Sequence, residues 1–279
     1  MKPTSPQSCE PPQRPVSVLS QVPCSLDKFA DPARDPLRKL AVDEITIPVT
    51  RTVPPPAYRQ ITECTESYYD RLGDSPLGMG WPNVPDALRR FGIMLDVIRG
   101  GPSRSEPLRL LDLGCGVGHL YEYLRGSSLD GIRYTGIDLS QRFIGICRST
   151  HPGVDFRHVD ILQHPEALDE YDYTVINGVF TSKCAMSFHE MWAFVQSLLK
   201  LVFRRSRCGI AFNAMSSHVD WERDDLFHLP LDTLAAFLCR NLSRNFVFRN
   251  DYGLYEFTTY VYQSGNPESL QSNSPRQSD

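Results

Sequence analysis

The sequence predicts an α/β fold: a doubly wound, seven-stranded sheet with an antiparallel last strand, behind an N-terminal helical lid. Two observations carry this. Leu108, Leu110, Leu111 and Leu113 form a short, nearly continuous apolar run that passes into Gly114, Gly116 and Gly118. That is the pattern of a central parallel strand covered on both faces, followed by a turn where the backbone can come close to a ligand. Near the other end, Arg244–Arg249 and Leu254–Tyr262 read as strands joined only by Asn250, Asp251, Tyr252 and Gly253. So close a connection demands antiparallel neighbours, which reverses the final strand of an otherwise parallel sheet.

Taken in order, residues 1–56 hold twelve of the 22 prolines and few large apolar side chains, so this segment is expected to be largely disordered. Ile45–Val53 could lie on the domain as a short extended piece, and the acidic residues between Asp27 and Glu44 argue against a transit peptide. Residues 57–101 read as the helical lid. Within it are a helix over Ile61–Arg71, a glycine- and proline-rich loop from Gly73 to Asn83, and a helix capped by Asp86. That second helix would carry Leu88, Phe91, Leu95 and Ile98 on one face and stop at Gly100 and Gly101.

Residues 102–263 form the predicted core. After the glycine turn come a helix over His119–Arg125, a strand over Arg133–Ile137 ending at Asp138, and a helix capped by Ser140. Val154–Val159 and Tyr171–Gly178 are the third and fourth strands. Ser187-x-x-Glu190 is a capping box, and Phe188, Met191, Trp192, Val195, Leu199 and Val202 make one stripe of the helix it opens. Cys208–Phe212 is the fifth strand and Pro230–Arg240 the last helix, while residues 264–279 are expected to be a frayed tail.

At 279 residues, one domain with an appendage is the expected size class. A net charge of −4 gives no general grip on a nucleic-acid backbone. The eight cysteines are scattered without a C-x-x-C pair, which argues against a metal site or a disulfide framework. No apolar run reaches the length of a membrane span, and the N-terminus lacks a secretory core. A reduced, cytoplasmic protein is expected.

The glycine spacing narrows the ligand. A dinucleotide fingerprint needs a glycine at 119, where the chain has His119; what stands here is Asp112-x-Gly-x-Gly-x-Gly118. Twenty residues beyond Gly118, Asp138 sits at a neighbouring strand tip, where a carboxylate can accept both hydroxyls of a ribose. In this motif and order the sequence resembles the class I methyltransferases that use S-adenosylmethionine (SAM), a Rossmann-like family, over about residues 61–263. The loop holding Gly80-Trp81, followed by Arg90-Phe91, resembles one group of that family.

The resemblance implies SAM as cofactor and a binding set of Asp112, Gly114, Cys115, Gly116, Gly118, Asp138, Leu139, Asp160, Ile161, Asn177, Tyr68 and Trp81. Gly114 and Gly116 would meet the methionine portion and Asp138 the ribose. Asp160 and Ile161 would meet the adenine, although Asp160 could equally form a turn. Asn177 would face the methyl donor. Tyr68 and Trp81 would close the site, although Trp81 could equally be ordinary packing. For the acceptor, the loop from Asn213 to Asp225 offers His218, whose ordinary pKa suits proton removal; His189 and Asp220 follow, and a loop histidine can also simply be solvated. Asn177 lacks the Pro-Pro-aromatic run of amino-group methylases, so an oxygen acceptor is expected.

The leading expectation is methyl transfer to a small molecule, a hydroxyl of a sugar or secondary metabolite, with no metal, nucleic acid or membrane involved. The competing readings are a protein or RNA acceptor, a SAM-binding interaction module without turnover, and a nicotinamide oxidoreductase.

Overall fold

The computed structural model describes residues 55–263, apart from 76, 82 and 100–105. The expectations for the proline-rich segment up to residue 54, for Gly100 and Gly101 and for the tail from 264 lie outside the described residues. The strands are β1 (Leu108–Leu113), β2 (Ile132–Asp138), β3 (Asp155–His158), β4 (Tyr171–Phe180), β5 (Ser206–Ser216), β6 (His228–Leu229), β7 (Phe246–Arg249) and β8 (Glu256–Tyr262). The helices are α1 (Pro55–Leu72), α2 (Val84–Leu95), α3 (His119–Arg125), α4 (Gln141–Thr150), α5 (Phe188–Arg205) and α6 (Leu231–Asn241).

Seven strands follow the order β3-β2-β1-β4-β5-β8-β7, and two-residue β6 adds an eighth by pairing with β5. β8 runs antiparallel to both β5 and β7, while β1 through β5 pair in parallel. The reversal anticipated from the short connection at 250–253 is therefore present, and it is confined to one strand. Chain order switches direction between β1 and β4, so their carboxyl ends splay the crossovers apart and leave a crevice there.

Strand alternation sorts the core into two layers. Leu111, Ile176, Ile210, Phe212 and Val261 face α5 and α6, with Met191, Val195, Leu199 and Leu234 buried against them. Leu110, Tyr173, Val175, Ala211 and Tyr260 face α2, α3 and α4. Of the two helices before β1, α1 supplies residues along the crevice, whereas α2 lies on the sheet with Phe91, Met94 and Leu95 in the core.

Some local signals serve other ends than those predicted. The cap of α2 is Asn83, whose side chain accepts from the Asp86 N–H at 2.9 Å; Asp86 belongs to the first turn. With Pro85 in its first turn, α2 starts at Val84, two residues upstream of the acidic residue. Leu88 is exposed in consequence, and Ala87, Phe91 and Met94 form the inner face. β5 runs on to Ser216, so Asn213 is a buried strand residue rather than the start of a loop. The first helix begins at Pro55, six residues before the predicted Ile61, and α2 ends at Leu95, leaving Ile98 outside it, whereas Ser140 caps α4 and Ser187 and Glu190 close the capping box of α5 as predicted. Among the described residues no helix is long and apolar enough to cross a membrane.

Candidate cofactor site

A cavity of about 460 Å³ opens at the carboxyl ends of β1, β2 and β4, under α1 and the loop that holds Trp81. Its floor is the glycine turn. Gly116 has φ +55°, a left-handed conformation that favours glycine, and the flexible end of Met79 packs over its bare backbone. The Gly114 and Cys115 N–H groups both donate to the Ile137 carbonyl at 2.8 and 3.2 Å, locking the turn to the end of β2.

Asp138 closes this geometry. Its Oδ2 accepts from the Gly116 N–H at 2.9 Å and its Oδ1 from the Ser140 N–H at 2.8 Å. Carboxylate and glycine turn thus share one wall, with the remaining lone pairs open to a hydroxyl-bearing ligand. Asp112, at the end of β1, is buried and accepts from the Tyr134 hydroxyl at 2.7 Å. Burial lifts its carboxyl to about 7, the Tyr134 bond opposing and the Asp138 charge adding to the rise. Burial also raises Asp138, against the bonds from Ser140 and Gly116. A buried carboxyl at Asp112 and a half-buried one at Asp138, both raised by desolvation, therefore stand beside the glycine turn, and a cation brought near them would favour their charged forms.

Eleven of the twelve residues expected to bind cofactor line this cavity: Tyr68, Trp81, Asp112, Gly114, Cys115, Gly116, Asp138, Leu139, Asp160, Ile161 and Asn177. The Asn177 Oδ1 is buried there without a partner among the described residues, an acceptor waiting for a donor. Gly118 does not line it. It caps α3 with φ +92°, a left-handed conformation that favours glycine, near Cys147, Phe156 and His151. Asp160 lines the wall, but its carboxylate is already engaged. Tyr58 donates to it at 2.9 and 3.1 Å, Arg59 approaches at 3.4 Å, and the Leu162 and Gln163 N–H groups donate at 3.2 and 3.3 Å.

The three residues singled out for proton removal are elsewhere. His218, His189 and Asp220 are exposed and none lines the cavity. Asp220 accepts from the Tyr255 hydroxyl at 2.8 Å, and His218 is tied only to Ser216 and Ser217. The cause is the length of β5: its last four residues remain in the sheet and deliver the following loop to the surface.

Sequence reasoning missed Tyr58, Met79, His119, Thr181, Ser182, Arg223 and Leu226, all of which line the cavity. His119 was discoverable, because it directly follows the last glycine of the turn; its Nε2 lies 3.0 Å from Asp74 Oδ1 of the lid loop. Arg223 and Leu226 carry no local signal, since only tertiary packing returns their loop to β4 through the Ser182–Leu226 bridge. Among the described residues no cluster of three or more His, Cys, Asp or Glu could hold a metal ion.

A family described as a methyltransferase domain matches residues 111–202. A Mycobacterium tuberculosis protein named as the methyltransferase Rv1506c is 35% identical over 161 residues, which cover 56% of this chain and 94% of that protein. Among solved structures, magnesium protoporphyrin IX methyltransferase of Synechocystis PCC 6803 with bound S-adenosylhomocysteine (SAH) aligns at a TM-score of 0.50 and 11% identity, covering 75% of this chain and 97% of that one. The plantazolicin methyltransferase BamL, in complex with a triazolic desmethylPZN analog and SAH, aligns at 0.50 and 12%, covering 74% and 94%. These two likenesses are of fold.

Proposed function

Because this chain belongs to the class I SAM-dependent methyltransferases and uses SAM, we propose that it methylates a small-molecule hydroxyl carried on an apolar body. The observation that carries the reading is the 2.9 Å bond between Asp138 and the Gly116 N–H, which makes carboxylate and bare backbone one wall of one cavity. In this reading Asp138 holds the ribose, Gly114 and Gly116 meet the methionine portion, and Asn177 receives a donor from the cofactor or acceptor. Asp160, already engaged by Tyr58, anchors α1 at the adenine end, and the ring itself lies against Ile161 and Leu162.

SAM supplies a methyl group already activated on a sulfonium, so the protein's task is chiefly to align donor and acceptor. The rest of the cavity suits an apolar acceptor. Leu72, Leu77, Trp81, Val179 and Leu226 line it. Its polar groups are largely used internally: Thr181 donates to the Gly178 carbonyl at 2.8 Å, Ser182 to the Asp225 carbonyl at 3.1 Å, and Arg223 grips the Asp225 carboxylate through two nitrogens. A polyhydroxylated sugar would find few free partners there, whereas an apolar body with one reacting hydroxyl needs few.

The test pairs the wild type with Asp138→Ala, incubated with methyl-labelled SAM and a size-fractionated extract. Wild type should label the low-mass fraction. The variant should keep its circular dichroism while SAH binding weakens on the order of 100-fold, the equivalent of about 3 kcal/mol for two lost charge-assisted bonds. Label appearing in macromolecules would reject a small-molecule acceptor. Unchanged SAH affinity in the variant would reject the ribose role of Asp138.

A further inference from the structure

Resting on the cofactor reading above, we infer that Arg90 is a positioning residue, fixing the cavity wall formed by Trp81 and the tip of β4. Arg90 is 7% exposed, and the two partners that link it to β4 are more deeply buried, Glu256 at 1% and Asn213 at 0%. The Arg90 Nε donates to Glu256 Oε1 at 2.9 Å, and the same oxygen accepts from Asn213 Nδ2 at 3.1 Å. The Asn213 Oδ1 in turn accepts from the Gly178 N–H at 2.8 Å. On its other side the guanidinium lies over the Trp81 ring, 4.5 Å from the centroid. Trp81 then returns to Gly178, where a Cβ would stand 2.7 Å from the indole. The contacts form a closed circuit running from Trp81 through Arg90, Glu256, Asn213 and Gly178 back to Trp81.

Two members of this circuit, Trp81 and Gly178, line the cavity, and Asn177 with its unpartnered buried oxygen is the next residue along β4. The other three stand behind the wall and do not line it. Their arrangement is a costly way to gain stability, since a buried ion pair is often matched or exceeded by apolar side chains of the same volume. It is, however, an effective way to gain geometry. Glu256 sets the orientation of the Asn213 amide, so a carbonyl rather than an NH2 group meets the Gly178 N–H. Only a planar guanidinium can donate in its plane to Glu256 while stacking its face on Trp81, and lysine cannot do both.

The experiment separates geometry from stability. In a background where Trp192 and Trp221 are replaced by Phe, Trp81 becomes the sole indole and its emission reports on the wall, with SAH as the probe. The parent should bind SAH with a change in Trp81 emission. Arg90→Met should melt lower, because Glu256 is left buried without its counter-charge. The pair Arg90→Met with Glu256→Met should recover most of that melting temperature, yet bind SAH at least tenfold more weakly and without the emission change. Arg90→Lys should not restore the emission change. A double variant with parental SAH affinity and emission response would overturn the inference, because the circuit would then be packing alone. A parent that does not bind SAH would overturn the cofactor reading and this inference with it, and that result is visible before any Arg90 variant is made.

Discussion

Asp112 and Asp138 line the cavity with raised carboxyls, and if the cofactor binds there as proposed its affinity should depend on pH. Asp112 has its carboxyl pushed up to about 7 from an ordinary 3.8, mainly by burial. Between those values the folded chain keeps a proton that the unfolded chain has lost. Stability from this group is therefore greatest below about pH 4 and falls as pH rises toward 7, by on the order of 4 kcal/mol. The raised Asp138 acts in the same direction. With the methionine portion against Gly114 and Gly116 as proposed, its sulfonium would lie near Asp112 and favour the charged carboxyls, so SAM binding should release protons near pH 6–7 and tighten as pH rises to 7. SAH, with an uncharged sulfur, should release fewer. Calorimetry in two buffers of different ionisation enthalpy measures this directly, and equal proton release for both ligands would contradict the placement of the sulfonium near Asp112. The position of Asp138 beside the glycine turn was legible because a strand tip at a fixed distance from such a turn is a local pattern. His218 was misleading because its chemistry suits a base while its position depends on where β5 ends, and a buried Asn213 looks in sequence like a loop opening.

At the scale of elements, local signals that satisfy their own backbone groups were the readable ones. Ser187 accepts from the Glu190 N–H at 3.2 Å while Glu190 accepts from the Ser187 N–H at 2.9 Å, and the S-x-x-E spacing specifies both bonds. Ser187→Ala should lower stability by about 1 kcal/mol, or ~2–4 °C in melting temperature, and leave SAH affinity unchanged. A change in SAH affinity would mean that the start of α5 is coupled to the cavity in a way its exposed contacts do not indicate. The lid was harder to read. Its two helices are both amphipathic, but one covers the cavity and the other the sheet. That distinction comes from partners distant in sequence, such as Glu256 for Arg90 and Asp160 for Tyr58. No periodicity within residues 57–101 encodes it.

Across the whole molecule, a rigid sheet carries a cover secured unevenly along its length. The central strands are buried on both faces, whereas α1 is held at its beginning by Tyr58, which stacks on Phe194 with ring centroids 5.1 Å apart and bonds to Asp160. In the middle, Glu66 accepts from the Ser140 hydroxyl, beside Asp138. Toward the end the ties are Tyr69, edge-on to the buried Phe143 with ring centroids 5.4 Å apart, and Asp70 with Arg142, both well exposed and therefore worth little, while Leu72 is half exposed at the cavity rim. Local opening should therefore begin at the Leu72 end and hinge near Tyr58, at a free energy well below that of unfolding the sheet. Hydrogen exchange tests this. Without ligand, amides at 65–72 should exchange faster than those of β4 and β5. SAH should slow exchange most at 65–72 and 77–81, and little in α6 and β7. Slowing spread evenly over the sheet would instead mean that the ligand stabilises the global fold without closing the cover.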